Sequence, residues 1–257
     1  MFFLKKSNNL KVVAHQHKIN SIHTARTIMF MELSKVMDFS TDFDNYQESM
    51  KNNVFGKKSQ DGVKKTSKFL TQLYGFNNSM PAFRAFKYFW LECDRDERAH
   101  ISFVLALKND YLLQESISVV SNCKAGDKVA IEAMIDNIEK FHPKRFTDNT
   151  LRSVAQNITS SWKQAGFITG KVKNIRTQPD ISYKVVAFAM LLSFLEDHRG
   201  DFIMHSNCVS ALCLNDTKLR ELAVEASKRD FLQYQYAGSV TSISFDKLIN
   251  KIGLDAI

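Results

Sequence analysis

Proline and glycine are scarce, three and nine in 257 residues. That scarcity argues against a fold of strands and tight turns, and the long stretches of Leu, Ala, Lys and Gln between the few breaks favour helices. The chain has no CxxC pair and no export signal. Its four cysteines, Cys93, Cys123, Cys208 and Cys213, read as reduced, mostly buried thiols of a cytoplasmic protein. Long hydrophobic runs are missing too. The longest, "VVAFAMLLSFL" at 185–195, has 11 residues, about half the ~20 that a membrane-spanning helix needs. It reads as a core helix, and no membrane is expected among the partners. The last absence is local: the 29 residues Thr150–Gln178 carry no acidic side chain, in a chain that has 27 of them.

What is present is a globular composition, 44% hydrophobic and 24% charged, which supports a sizeable core and excludes wholesale disorder. The net charge of +8 is unevenly placed. Residues 1–80 carry +6, 81–139 carry −3, 140–176 carry +7 and 177–257 carry −2. Two basic blocks separated by mildly acidic segments point to a polyanionic partner more strongly than the overall charge does. The first 31 residues hold Lys5, Lys6, Lys11, Lys18 and Arg26 and no acid. They suit a transit peptide, a disordered basic tail, or a leader ahead of a true start at Met29 or Met31, and are set aside as disordered or mis-annotated.

Helical periodicity is expected around 43–52, 61–74, 81–92, 95–108, 110–122 and 127–140, with breaks at "FGKKSQDG", "GFNNSMP" and "NCKAGD". "FHPKRFT" (141–147) is read as a domain boundary, because Pro143 disfavours helix at His142 and the charge balance changes sign there. The expected fold is therefore mainly α, in two helical domains, 32–141 and 142–257. The second carries winged-helix-like units with short β-hairpins. In the first unit, Thr147 caps a helix whose Leu151, Val154, Ala155, Ile158, Trp162 and Ala165 share a face. Gly166 stops it, and Phe167–Thr169 and Val172–Arg176 form a hairpin hinged near Gly170. The second unit repeats the plan. A helix at about 216–228 precedes "DFLQYQYAG" and "SVTSISF", which turn at Ala237-Gly238, while helices near 181–197 and 205–214 lie between the units.

A helix followed at once by a basic hairpin is the outline of a winged helix-turn-helix. At ~100° per residue, Asn149, Arg152, Ser153, Gln156, Ser160 and Lys163 fall opposite Leu151, and Lys171, Lys173 and Arg176 lie on the hairpin. Such side chains hydrogen-bond base edges and phosphates. A duplex carries one backbone charge per ~1.7 Å, so carboxylates on a surface facing it are costly, which accounts for the acid-free stretch. The bland alternative is a solvated polar face. The other basic block, "FGKKSQDGVKKTSKFLTQLYG", places Lys64, Lys65, Lys68 and Gln72 on one side of a helix, with Lys57 and Lys58 before it. It reads as a phosphate-contacting helix, or equally as a solvated lysine face.

"NVFGKKSQDGVKKTSKFLTQLY" and "FTDNTLRSVAQNITSSWKQAGFI" together resemble the BrxA proteins of bacterial BREX phage-defence islands, in order and spacing over about residues 32–250. The shared elements are a Gly-Lys-Lys-Ser turn before a helix, a Thr-capped helix ending in Trp and then Ala-Gly-Phe, and a terminal hairpin. The leader before Met31 lies outside the resemblance. It implies a small, mainly helical, non-enzymatic protein that binds double-stranded DNA and acts with other phage-defence island proteins. An alternative role is an adaptor docking on a methyltransferase or ATPase of the same system.

Two clusters invite chemistry. In "LECDRDERAH", Glu92, Asp94, Asp96 and Glu97 suggest Mg²⁺ for a nuclease, but alternating charge at helical spacing reads more simply as a salt-bridged helix start. His198, His205, Cys208 and Cys213 are four potential zinc donors at irregular spacing, which reads as buried thiols and surface histidines. No catalytic residue, cofactor or metal is expected.

Overall fold

The computed structural model describes residues 21–40, 45–238 and 240–254. The chain is mainly helical. Five helices open it: α1 (Phe30–Ser40), α2 (Tyr46–Lys51), α3 (Gln60–Tyr74), α4 (Pro81–Glu92) and α5 (Arg95–Asn109). The sequence starts them by familiar means. Ser59 Oγ accepts the Gly62 N–H ahead of α3, and Pro81 opens α4, where its missing N–H costs nothing. Asp94 and Glu97 form a reciprocal capping box on α5.

A winged-helix-like unit follows. Short helices α6 (Tyr111–Glu115) and α7 (Ile117–Ser121) lead to α8 (Ile131–Phe141), α9 (Asp148–Gln164), and the paired strands β1 (Ile168–Thr169) and β2 (Ile175–Arg176). Residues 126–129 complete the small sheet. Lys128 bridges Ile175, the Gly126 N–H donates to the Arg176 carbonyl at 2.8 Å, and the Val129 N–H donates to the Asn174 carbonyl at 2.8 Å. The second unit comprises α10 (Tyr183–Phe194), α11 (Asp201–Met204), α12 (Asn207–Ser210), α13 (Asp216–Lys228), the hairpin β3 (Gln233–Ala237) and β4 (Val240–Ser244), and α14 (Asp246–Lys251). Tyr234 faces Ile243 and Tyr236 faces Thr241 across that hairpin.

The core is continuous. α10, the apolar run of the sequence, is buried from Val185 to Ser193 and packs on α4, α5, α12 and α13. Phe188 lies 6.0 Å from Phe86 and 5.2 Å from Phe89 of α4, and Phe89 in turn lies 5.6 Å from Phe231, ring centre to ring centre. Among the described residues no helix is long and apolar enough to cross a membrane.

Two expectations about domain organisation change. The break at 141–147 is the turn between α8 and α9, which pack directly on each other. Pro143 marks a helix-turn-helix corner rather than a linker, so the unit begins upstream of 142 and the apolar core runs across that position. The segment read as a leader is also revised over 21–31. Residues 1–20 lie outside the described residues, but Ser21, Ile22, His23, Ile28, Met29 and Phe30 are buried.

These residues form a strap. Ser21 Oγ donates to both Asp110 carboxylate oxygens at 2.7 and 2.8 Å, and the Ile22 N–H donates at 2.7 Å. His23 Nδ1 lies 3.1 Å from Asp110, while its Nε2 meets Ser161 Oγ at 2.9 Å. Burial alone would raise the Asp110 carboxyl. The His23 charge and the hydrogen bonds from His23, Ser21 and the Leu113 N–H outweigh it and hold the group down at about 2. Ser161, His23 and Asp110 have the order of a hydrolytic triad. However, all three are sealed from solvent, and Ser161 Oγ already donates to the Asn157 carbonyl at 3.0 Å.

Because the folded carboxyl titrates below the ordinary 3.8, its stabilisation is full above pH ~5 and is lost as pH falls toward 2. Asp110→Asn should therefore lower unfolding free energy by at least about 2 kcal/mol at neutral pH. In urea melts between pH 7 and 2.5 the gap from wild type should narrow to less than half at the acidic end; a constant gap would show that the charge contributes nothing.

Candidate nucleic-acid interface

Helix α9 has three faces with three tasks. Leu151, Val154, Ala155, Ile158, Trp162 and Ala165 are buried, as their spacing predicts. Trp162 also donates its indole N–H to Ser116 Oγ at 2.8 Å, fixing the helix against the end of α6. A second face holds the strap. Asn157 Nδ2 donates to the His23 carbonyl at 2.9 Å, Ser161 Oγ accepts the Ile28 N–H at 3.0 Å, and Gln164 Oε1 accepts the Phe30 N–H at 2.9 Å. The third face is open. Asn149, Arg152, Ser153 and Gln156 are exposed there, with Ser160 and Lys163 half-buried. Asp148 is the only acid of the helix and sits in its first turn, where it complements the dipole.

The hairpin beside this face acts as the wing. Gly170 has φ +92°, and a Cβ there would fall 2.1 Å from the Lys173 carbonyl oxygen, so only glycine allows the turn. Lys163 Nζ donates to the Gly170 carbonyl at 2.7 Å, tying the wing to the helix. Lys171 and Lys173 are exposed on either side of Val172, which is 92% exposed.

Several expected contacts change role. Arg176 is 4% exposed and points inward. Its Nε donates to the Val120 carbonyl at 3.2 Å, its other nitrogens meet Phe167 O, Thr177 O and Gln178 Oε1, and the guanidinium lies over the Phe167 ring. It is a structural cation. Arg176 belongs to β2, where its side chain turns into the core, whereas Lys171 and Lys173 lie in the bend outside both strands. Lys163 is likewise a positioning group, and its end of α9 adjoins a cleft containing Asp96, His100 and Asp180. Lys57 is half-buried and paired with Glu32 of α1 at 2.7 Å, and Lys65 pairs with Asp61 at 2.8 Å. Lys58, Lys64 and Lys68 are exposed, with no ion pair among the described residues.

Other cations escaped the sequence reading. Lys144 and Arg145 are exposed in the α8–α9 turn, Arg145 lying 5.6 Å from the Tyr111 ring centre. Their position became meaningful only once that turn was known to lie inside the unit. Arg26 is exposed on the strap, 5.7 Å from the Phe69 ring of α3, and was lost with the supposed leader. The strap touches both α3 and α9, for Tyr74 Oη donates to the Ile28 carbonyl at 2.5 Å.

The clusters weighed for chemistry are committed elsewhere. Asp94 and Glu97 cap α5, and Glu97 also pairs with Lys184 at 2.7 Å. Cys208 is buried in α12, and burial pushes its thiol up to about 12; His198 Nδ1 is 3.2 Å from the Ser193 carbonyl. Among the described residues, no three His, Cys, Asp or Glu side chains gather as a metal site. Set against protein-family models, curated proteins and solved structures, the chain matches none.

The two kinds of hairpin cation separate experimentally. Arg176→Ala strips the Val120 and Phe167 carbonyls of a buried partner and should lower the melting temperature by about 5 °C, whereas Lys173→Ala should leave it within about 1 °C. Equal melting temperatures for the two variants would contradict the inward placement.

Proposed function

We propose that the protein is a non-enzymatic double-stranded DNA-binding protein that uses α9 and the β1–β2 wing as its reading surface. The observation that carries this is the junction of the two elements. The open face of α9 presents Asn149, Arg152, Ser153 and Gln156, and a lysine-to-carbonyl bond holds the Lys171–Lys173 tip beside it. Amide and guanidinium groups on one helix face suit base edges in a major groove, and lysines on a hairpin suit the phosphates flanking it. Lys144 and Arg145, in the turn just before α9, add charge where a helix-turn-helix meets backbone. Given the resemblance to the BrxA proteins, we place this activity in a BREX-type phage-defence system, working with other proteins of the same island.

With about five phosphates neutralised, the logarithm of duplex affinity should fall with the logarithm of salt at a slope of about −4.5, about 500-fold between ~50 and ~200 mM. Replacing Lys171 and Lys173 with Glu should weaken binding about a hundredfold or more and flatten the slope by about two. A gel shift and a salt titration by fluorescence anisotropy check both. No complex at low salt, or an unchanged slope in the double variant, sinks the reading.

A specific feature of the second unit favours an adaptor role beside this one. The groove between α13 and β3, about 720 Å³, is lined by Arg220, Glu221, Val224, Lys228, Tyr234 and Tyr236, with both charge signs present. Arg220 donates to Tyr234 Oη at 2.8 Å and stacks 4.1 Å from the Tyr236 ring centre, while Val240 at the hairpin tip is 66% exposed. Aromatic, apolar and of mixed charge, this groove suits a protein surface better than a phosphate backbone. Its partner in this reading is a methyltransferase or ATPase of the same system. Tyr236→Ala with Val240→Asp should abolish co-purification that survives nuclease treatment while leaving the DNA gel shift unchanged; loss of both, or of neither, contradicts the division of labour.

A further inference from the structure

A third surface belongs to neither winged unit's reading groove. It is an open pocket of about 670 Å³ between α4 and the end of α14, lined by Asn78, Ser79, Arg84, Lys87, Tyr88 and Lys251. Three of these side chains are cations, and among the described residues the lining contains no carboxylate. Among the described residues Glu92, beyond the lining, opposes the charge of Lys251 and contacts Tyr88.

The cations are placed rather than loose. Arg84 Nη2 donates to the Ile252 carbonyl at 3.0 Å. A guanidinium has five N–H donors in a rigid fork, and that single bond to a carbonyl leaves its charge uncompensated. Among the described residues Arg84 has no ion pair. Lys251 Nζ donates to Tyr88 Oη at 2.9 Å and sits 5.0 Å from the centre of that ring, which fixes the ammonium at the pocket wall. Gly253 completes the arrangement. It has φ +66°, and a Cβ at that position would stand 2.6 Å from Arg84 Nη2. The chain end can close over the guanidinium only because residue 253 has no side chain. Arg84 and Lys251 at one wall repel each other, and an anion seated between them relieves that repulsion while accepting donors that Arg84 leaves unused.

We propose that this pocket binds a small phosphate-bearing anion of nucleotide size. Arg84 takes the phosphate oxygens in a forked contact and Lys251 supplies a second charge. Asn78 and Ser79 add polar groups to the lining, and Tyr88 and Leu91 offer apolar wall to whatever the phosphates are attached to. The site uses α4 and α14 and none of the α9–wing residues, so it stands or falls apart from duplex binding.

The test is calorimetric titration of the full chain with inorganic pyrophosphate, and separately with ATP, in metal-free buffer at moderate salt. Saturable binding of either probe is expected, weakened about tenfold by Arg84→Gln and by Lys251→Gln. Gly253→Ala should weaken it as well, by displacing the guanidinium. ATP binding without pyrophosphate binding would assign recognition to the nucleoside as well as the phosphates; equal binding would assign it to the phosphates alone. Lys251 is exposed, so its variant keeps its fold and guards against a misfolded Arg84 variant, with thermal melting as the check. The double variant Lys171→Glu with Lys173→Glu should bind both probes as wild type does. Absence of saturable heat with both probes, or affinity untouched by Arg84→Gln and Lys251→Gln, overturns the proposal. So does loss of binding in that double wing variant, which would place the anions at the wing.

Discussion

A carboxylate sealed from water organises this molecule. Asp110 ends α5, caps α6 through the Leu113 N–H, and receives Ser21, the Ile22 N–H and His23. A buried charge is tolerated only when its oxygens are fully engaged, and here the partners come from a segment more than 85 residues away in sequence. That requirement draws the strap into the interior. From His23 onward the strap runs along α9, bonded in turn to Asn157, Ser161 and Gln164, and passes α3 at Tyr74. One face of α9 is thus occupied by the strap and another by the core. What remains exposed is a narrow stripe whose orientation is fixed by its own helix's burial. The proposed reading surface would gain from that rigidity, because ordering a mobile helix on binding costs affinity.

The two winged units show how little of a surface is decided by its fold. Both place a helix, a hairpin and the space between them in the same order, α9 with β1–β2 and α13 with β3–β4. In the first, the exposed positions are amide, hydroxyl and cationic, and the wing tip is Lys-Val-Lys. In the second, Glu221 and Glu225 lie between Arg220 and Lys228, and the wing presents Tyr234 and Tyr236. A polyphosphate would be repelled by those carboxylates and would gain nothing from the tyrosine faces in a duplex, whose bases are stacked away. Charge and aromatic content, not backbone path, separate the two surfaces.

Most of the elements were legible in the sequence, and the reason is local. The Thr147 cap, the Gly166 stop, the breaks at "FGKKSQDG" and "GFNNSMP", and the apolar spacing of Leu151 through Ala165 act within a few residues. Local signals survive without knowledge of the fold. What was illegible depends on contacts distant in sequence. Nothing in "SIHTARTIMF" announces that Ser21 and His23 belong to Asp110, so a basic, acid-free segment resembled a leader. Nothing in Pro143 distinguishes a linker from a helix-turn-helix corner, because both need the chain to turn. The polar residues of α9 illustrate the limit best. Gln156 faces solvent while Asn157 faces the strap, and no propensity scale separates two adjacent amides.

The same distinction changes how the basic block should be weighed. Residues 140–176 hold eight cations, but a charge contributes to an external field only if its neighbours leave it exposed. Arg176 lies beneath the wing, its guanidinium consumed by carbonyls, and Lys163 is fastened to the Gly170 carbonyl from the side. Strands of two residues each could not hold a hairpin rigid by their own ladder. Two of the block's cations therefore brace the wing, one from below and one from α9, and Lys171 and Lys173 stand exposed at its tip. The basic composition serves two ends at once: some of the charge is turned inward to build the platform, and the remainder is what that platform presents.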